Sequence, residues 1–115
     1  MRLAIIGSRD CPPIEISGYV SETPDTIVSG GARGADTLAR EYAVRNNIPL
    51  LEFLPKYAIY GRKAPIMRNI QIVDNCDLLL AFWDGTSRGT KFTIYYARQK
   101  GIPCKIVDIS INIVV

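Results

Sequence analysis

The sequence predicts a three-layer, doubly wound α/β sandwich built on a mostly parallel five-stranded sheet. Short apolar, β-branched runs alternate with longer amphipathic stretches, and glycine or proline marks each switch between them. Runs such as Asp77-Leu78-Leu79-Leu80-Ala81-Phe82-Trp83 are near-continuously apolar, which implies burial on both faces, as in a parallel sheet covered by helices. The 115 residues read as a single domain, 1–115, large enough to bury roughly two-thirds of its unfolded surface without disulfide or metal staples.

Taken in order, strands are expected at about residues 2–7, 26–30, 49–54, 77–83 and 103–109, and helices at about 13–22, 33–47, 63–75 and 89–101. In the second helix Ala35, Leu38, Ala39, Tyr42, Ala43 and Asn46 follow the i, i+3, i+4, i+7 rhythm, and Glu41 and Arg45 are spaced to pair at i, i+4. In the third, Ile66, Ile70 and Val73 form an apolar stripe with Arg68 and Asn69 on its polar side. The fourth, around Lys91 to Arg98, is apolar over more of its circumference than one sheet face covers, which points to a homodimer or larger homo-oligomer with tyrosines at the interface. The stretch from Pro55 to Arg62 reads as one long ordered loop, and Ile111 to Val115 as a sixth strand or a partner contact.

Composition narrows the chemistry. No histidine is present, which removes histidine-based triads and histidine-ligated metals within one chain, and no metal site is expected. The net charge of +3 comes from 14 Lys+Arg against 11 Asp+Glu, dispersed along the chain; this suits an anionic small ligand better than a nucleic acid. Cys11, Cys76 and Cys104 are odd in number and fit no metal-ligand spacing, so they read as reduced thiols of a cytoplasmic protein. The apolar run at the N-terminus is too short for a signal-peptide core, and no run is long enough to span a membrane.

In an open parallel sheet, ligands bind at the carboxyl ends of the strands where the winding reverses. Three glycine-bearing turns are expected there: Gly7-Ser8-Arg9-Asp10, Ser29-Gly30-Gly31-Ala32-Arg33-Gly34-Ala35-Asp36, and Asp84-Gly85-Thr86-Ser87-Arg88-Gly89-Thr90. Each carries an arginine and at least one hydroxyl, and two run straight into a helix, so backbone N–H groups and the positive end of the helix dipole face the cleft. Neither the Gly-x-Gly-x-x-Gly dinucleotide fingerprint nor the Gly-x-x-x-x-Gly-Lys-Ser/Thr phosphate loop occurs. For any single glycine, the alternative is a turn residue and nothing more.

The run Ser29 to Asp36, followed by Arg68-Asn69 and then Asp84-Gly85-x-Ser87-x-Gly89-Thr90, resembles the SLOG superfamily, and most closely its small YspA-like branch of single Rossmann-like domains. Related branches are the Lonely-guy phosphoribohydrolases and the Smf-type DNA-processing proteins. The resemblance spans nearly the whole chain. It implies binding of a nucleotide or nucleotide derivative, either to hydrolyse an N-glycosidic bond or to sense a signal such as an ADP-ribose derivative. Gly30, Gly31 and Gly34 match the family's first phosphate-facing turn, and Gly89-Thr90 match the Gly-Thr of the Lonely-guy Pro-Gly-Gly-x-Gly-Thr-x-x-Glu motif. At the position of that motif's glutamate stands Thr93, and a hydroxyl of ordinary acidity cannot do a carboxylate's work at an oxocarbenium-like centre.

The expected ligand-binding set is therefore Gly7, Ser8, Arg9, Gly30, Gly31, Arg33, Gly34, Asp36, Arg68, Asn69, Asp84, Ser87, Gly89 and Thr90. Arg9, Arg33 and Arg68 would neutralise phosphate, or else lie solvated on the surface. Asp36 either complements the second helix's dipole or reads a ribose, and Asp84 either caps its own loop or reaches the ligand. These two are the candidate catalytic residues, with Asp10 a third carboxylate nearby. Trp83 reads as core; Tyr57 and Tyr60 are better placed to stack on a base. The expected activity is binding of a nucleotide-derived phosphate as a sensor or sequestering module, with no further cofactor. The alternatives are a nucleotide N-glycosidase and, more remotely, a single-stranded DNA binder.

Overall fold

The computed structural model describes residues 1–31 and 33–110; the segment 111–115, with its expected sixth strand or partner contact, lies outside them. Five strands, β1 (Arg2–Gly7), β2 (Thr26–Ser29), β3 (Leu50–Glu52), β4 (Leu78–Trp83) and β5 (Cys104–Asp108), form one sheet in the order β3-β2-β1-β4-β5. Every pairing is parallel, with Ala4 opposite both Val28 and Leu79. The winding reverses between β1 and β4, which opens a crevice at the carboxyl ends of those two strands.

Alternation along the strands divides the core into two layers. Leu3, Ile5, Ile27, Leu80 and Phe82 face α1 (Ala35–Arg45), where Ala35, Ala39 and Ala43 let the helix lie close to the sheet beside Tyr42. Ala4, Ile6, Val28, Leu79 and Ala81 face α3 (Ala64–Asp74) and α4 (Arg88–Gln99) through Ile72, Val73, Ile94 and Ala97. This is a Rossmann-like three-layer sandwich. Among the described residues, no helix is long and apolar enough to cross a membrane.

Four local expectations are corrected. The helix expected at 13–22 is a single 3-10 turn, Ile16–Tyr19: Pro12 and Pro13 precede it, Gly18 interrupts it, and the segment crosses the sheet face pinned by the buried Ile16. That crossing brings Glu15 to Arg45, so Arg45 forms its ion pair there, at 3.5 Å, and not with Glu41. The Pro55–Arg62 loop contains a helical turn, α2 (Tyr57–Tyr60), followed by a 3-10 turn, Gly61–Lys63. In α3 the buried residues are Ala64, Ile72 and Val73, while Ile66 is exposed. The helix is rotated from the expected stripe because Pro65, Arg68, Asn69 and Ile72, spaced i, i+3, i+4, i+7, turn to the crevice.

The aromatic surface of α4 is largely engaged within the chain. The Tyr96 hydroxyl donates to Asp74 (2.9 Å), its ring stacks on Phe92 at 6.2 Å, and Lys100 lies over it; Lys91 lies over Tyr95. Tyr95 is the large apolar side chain of α4 left mostly exposed.

Candidate functional site

The crevice is a cleft of about 410 Å³. Its floor is the end of β1, from Ile6 to Ser8, with Arg9 and Asp10 continuing the wall; α1 contributes Asp36, with Arg33 just before the helix. The opposite wall is Pro65, Arg68, Asn69 and Ile72 of α3, and the far end is Ser87, Arg88, Gly89, Thr90 and Thr93 at the start of α4. Of the residues expected to bind, Gly7, Ser8, Arg9, Arg33, Asp36, Arg68, Asn69, Ser87, Gly89 and Thr90 come together here. Gly30, Gly31, Gly34 and Asp84 lie outside the lining.

Close packing explains the glycines that stand back. A Cβ on Gly34, whose φ is +75°, would lie 2.6 Å from the Arg9 carbonyl oxygen and 2.7 Å from that of Ser8. A Cβ on Gly30 would lie 2.5 Å from Nη1 of Arg68, and one on Gly31 would lie 2.5 Å from Cδ2 of Leu54. These three glycines seat the β2–α1 turn against its neighbours. Gly7 does both jobs: it lines the cleft, and a Cβ there would meet the Phe82 carbonyl at 2.5 Å.

Arg68 spans the same turn. Its Nη1 donates to the Gly30 carbonyl (2.7 Å) and its Nε to Oδ1 of Asn69 (2.8 Å). Burial pulls the guanidinium below its ordinary value; Asp36 and Tyr57 oppose that shift, and Arg9 adds to it. It remains a cation at neutral pH, with donors left for a ligand. Asp36 Oδ1 accepts from the Ser29 hydroxyl (2.9 Å) and the Gly30 N–H (3.4 Å), so its carboxylate closes the β2–α1 turn as well as facing the cleft.

The β4–α4 turn is organised the other way. Asp84 accepts the backbone N–H groups of Ser87 (2.7 Å) and Thr86 (2.9 Å), and the Ser87 hydroxyl donates to its second oxygen (2.7 Å). These bonds, chiefly that from the Ser87 N–H, hold its carboxyl well below the usual carboxylate range. A group so firmly ionised is a poor proton donor, and its place is that of the loop's own cap. With Ser87 turned to Asp84, α4 has no side-chain cap, and its open first turn meets the cleft at Gly89 and Thr90. Trp83 Nε1 donates to the Ser87 carbonyl (3.1 Å), which makes the ring a brace for this turn.

Two hydroxyls complete this end. Thr90 is 6% exposed and lines the cleft, and its hydroxyl makes no hydrogen bond among the described residues. Among the described residues no fully occluded side-chain oxygen lacks a partner, so this oxygen keeps some exposure where Thr90 lines the cleft. Ser8, 3% exposed, accepts from the Asp84 N–H at 3.3 Å, and its hydroxyl also helps to hold the Asp84 carboxyl low. Thr93 lies below, buried, its hydroxyl donating to the Gly89 carbonyl at 2.8 Å. Arg9, Arg33 and Arg88 are exposed and form no ion pair among the described residues.

Sequence reasoning left Arg88 out of the expected set, although its position at the first residue of a helix on the carboxyl edge could have marked it. Pro65 and Ile72 were missed because only the rotation of α3 turns them inward.

No family model matches the chain, and no solved structure matches it. The sequence is similar to the Gene 61 protein of Mycobacterium phage D29, with 36% identity over 83 residues, covering 67% of this chain and 66% of that protein. The chain thus spans slightly under two thirds of that relative's length.

Proposed function

We propose that this protein binds a nucleotide or nucleotide-derived phosphate in the β1–β4 cleft and acts as a sensor or sequestering module in the cytoplasm. The observation that carries this reading is the donor set at the start of α4. The Thr90 hydroxyl and the open first turn lie at one end of a cleft bordered by Arg9, Arg33, Arg68 and Arg88. Against these four cations the lining holds two carboxylates, Asp10 and Asp36. Such a site offers donors and positive charge where an oxyanion needs them.

Binding is favoured over hydrolysis because Thr93 donates into its own helix, and Asp36 is an acceptor for Ser29 and Gly30. The test is calorimetric titration of the protein with mononucleotides, followed by chromatography of the incubated mixture. A mononucleotide that binds, remains intact and loses at least roughly tenfold in affinity with Arg33→Ala supports the reading, tenfold being about 1.4 kcal/mol. Release of free base would replace it with the N-glycosidase.

A further inference from the structure

We propose that the segment from Leu54 to Ile66 is a membrane-docking surface, whose helical turn α2 inserts among the headgroups of an anionic lipid bilayer. This surface is separate from the cleft, whose lining takes no residue from Leu54 to Ala64.

Among the described residues eight large apolar side chains are exposed, and five of them, Leu54, Tyr57, Ile59, Tyr60 and Ile66, fall in this one stretch. Every residue from Lys56 to Lys63 is exposed, and α2 buries none of its four. The segment is nevertheless held at both ends, by the Phe53 N–H on the Ser29 carbonyl (2.9 Å) and by the fully buried Ala64. It stands out from the sandwich as an anchored protrusion, and apolar surface concentrated in this way marks an interaction site.

Shape and charge together select the occupant. Tyr57, Ala58, Ile59 and Tyr60 are consecutive, and at about 100° per residue their side chains leave α2 in directions that encircle it. A partner lying against one side of the turn covers about half of them, whereas a medium that surrounds the turn covers them all. The backbone suits such a medium, because the Ile59 and Tyr60 N–H groups both donate to the Lys56 carbonyl, at 3.1 and 3.0 Å. Lys56 stands before the turn and Arg62 and Lys63 after it, all exposed, and no Asp or Glu occurs from Phe53 to Val73. Apolar side chains within a collar of cations match the two layers of an anionic bilayer surface, the acyl boundary and the phosphates. A second copy of the chain seated face to face here would set like charges against each other.

The test is flotation with vesicles of phosphatidylcholine alone and of phosphatidylcholine mixed with an equal amount of phosphatidylglycerol. Wild type is compared with two double variants, Tyr57→Ser with Ile59→Ser and Lys56→Gln with Lys63→Gln, each checked for an unchanged thermal transition. All four side chains are exposed, Ile59 at 68%, so the replacements leave the core intact. Wild type should float with the anionic vesicles and remain in the dense layer with the neutral ones. Each double variant should bind the anionic vesicles roughly tenfold more weakly, the first through lost insertion and the second through lost charge. Wild type that ignores the anionic vesicles, or floats equally with the neutral ones, overturns the inference, and so does the serine variant if it floats as wild type does. The first of these outcomes leaves the surface to a protein partner.

Discussion

The two glycine turns that flank the cleft have nearly the same vocabulary and opposite organisation. In the β2–α1 turn, Gly30, Gly31 and Gly34 are wedged against Arg68, Leu54 and the β1 loop, and Asp36 folds back onto Ser29 and Gly30. In the β4–α4 turn, Asp84 draws Ser87 away from the helix, and Gly89 has nothing nearer its missing Cβ than Asn69 Nδ2 at 3.9 Å. One turn is built into the scaffold, and the other is left open to a ligand. Which groups in a glycine-rich turn are available is decided by what packs behind them, not by the turn's composition.

The largest expected effect breaks this contrast directly. Gly34→Ala places a Cβ against two carbonyl oxygens at a positive φ and should cost about 3 kcal/mol. Gly89→Ala, in the first turn of α4, should leave stability unchanged or raise it by less than about 1 kcal/mol. Chemical denaturation of the two variants measures the difference.

Next come the arginines. Arg68→Ala removes charge-assisted bonds to Gly30 and Asn69 and should destabilise the fold by about 2 kcal/mol while weakening the ligand. Arg33→Ala should stay within about 0.5 kcal/mol of wild type and show its effect in ligand titration alone. A destabilised Arg33→Ala would mean that this side chain, too, belongs to the scaffold.

Acid sharpens the comparison further. The Asp84 carboxyl lies below its ordinary value of 3.8 in the folded chain, so unfolded molecules bind the extra proton as pH falls. Its contribution to stability is complete above the usual carboxylate range and is lost as pH drops through that range toward the lower folded value. Denaturation midpoints measured down through that range should fall less steeply in Asp84→Asn than in wild type. The smallest effect concerns Cys76, whose thiol burial pushes up to about 12. At pH 8 it should resist alkylation until the protein is unfolded, as quantitative thiol labelling would record.

The strands were legible because Leu3–Ile6 and Leu78–Phe82 are apolar on both faces, a pattern that only a doubly covered parallel sheet accommodates. The helix expected at 13–22 was not, because Pro12, Pro13 and Gly18 outweigh its weak periodicity and tertiary packing of Ile16 fixes a single turn. At the site, the three turns and their arginines could be read in advance, since their place after strands is a matter of order along the chain. The direction of the Ser87 hydroxyl, the rotation of α3 and the attachment of Arg68 to Gly30 could not, because each depends on residues distant in sequence.

The most direct test of the open β4–α4 turn is a thermal-shift titration with nucleoside mono-, di- and triphosphates, ADP-ribose and NAD, run on wild type and on Thr90→Val. A ligand at about 100 times its dissociation constant should stabilise wild type by close to 3 kcal/mol, a rise of about 10 °C. Thr90→Val, matched in shape but lacking the hydroxyl, should need roughly tenfold more of the same ligand. Equal shifts in the two proteins, or none in wild type with any phosphate of the set, would contradict the account.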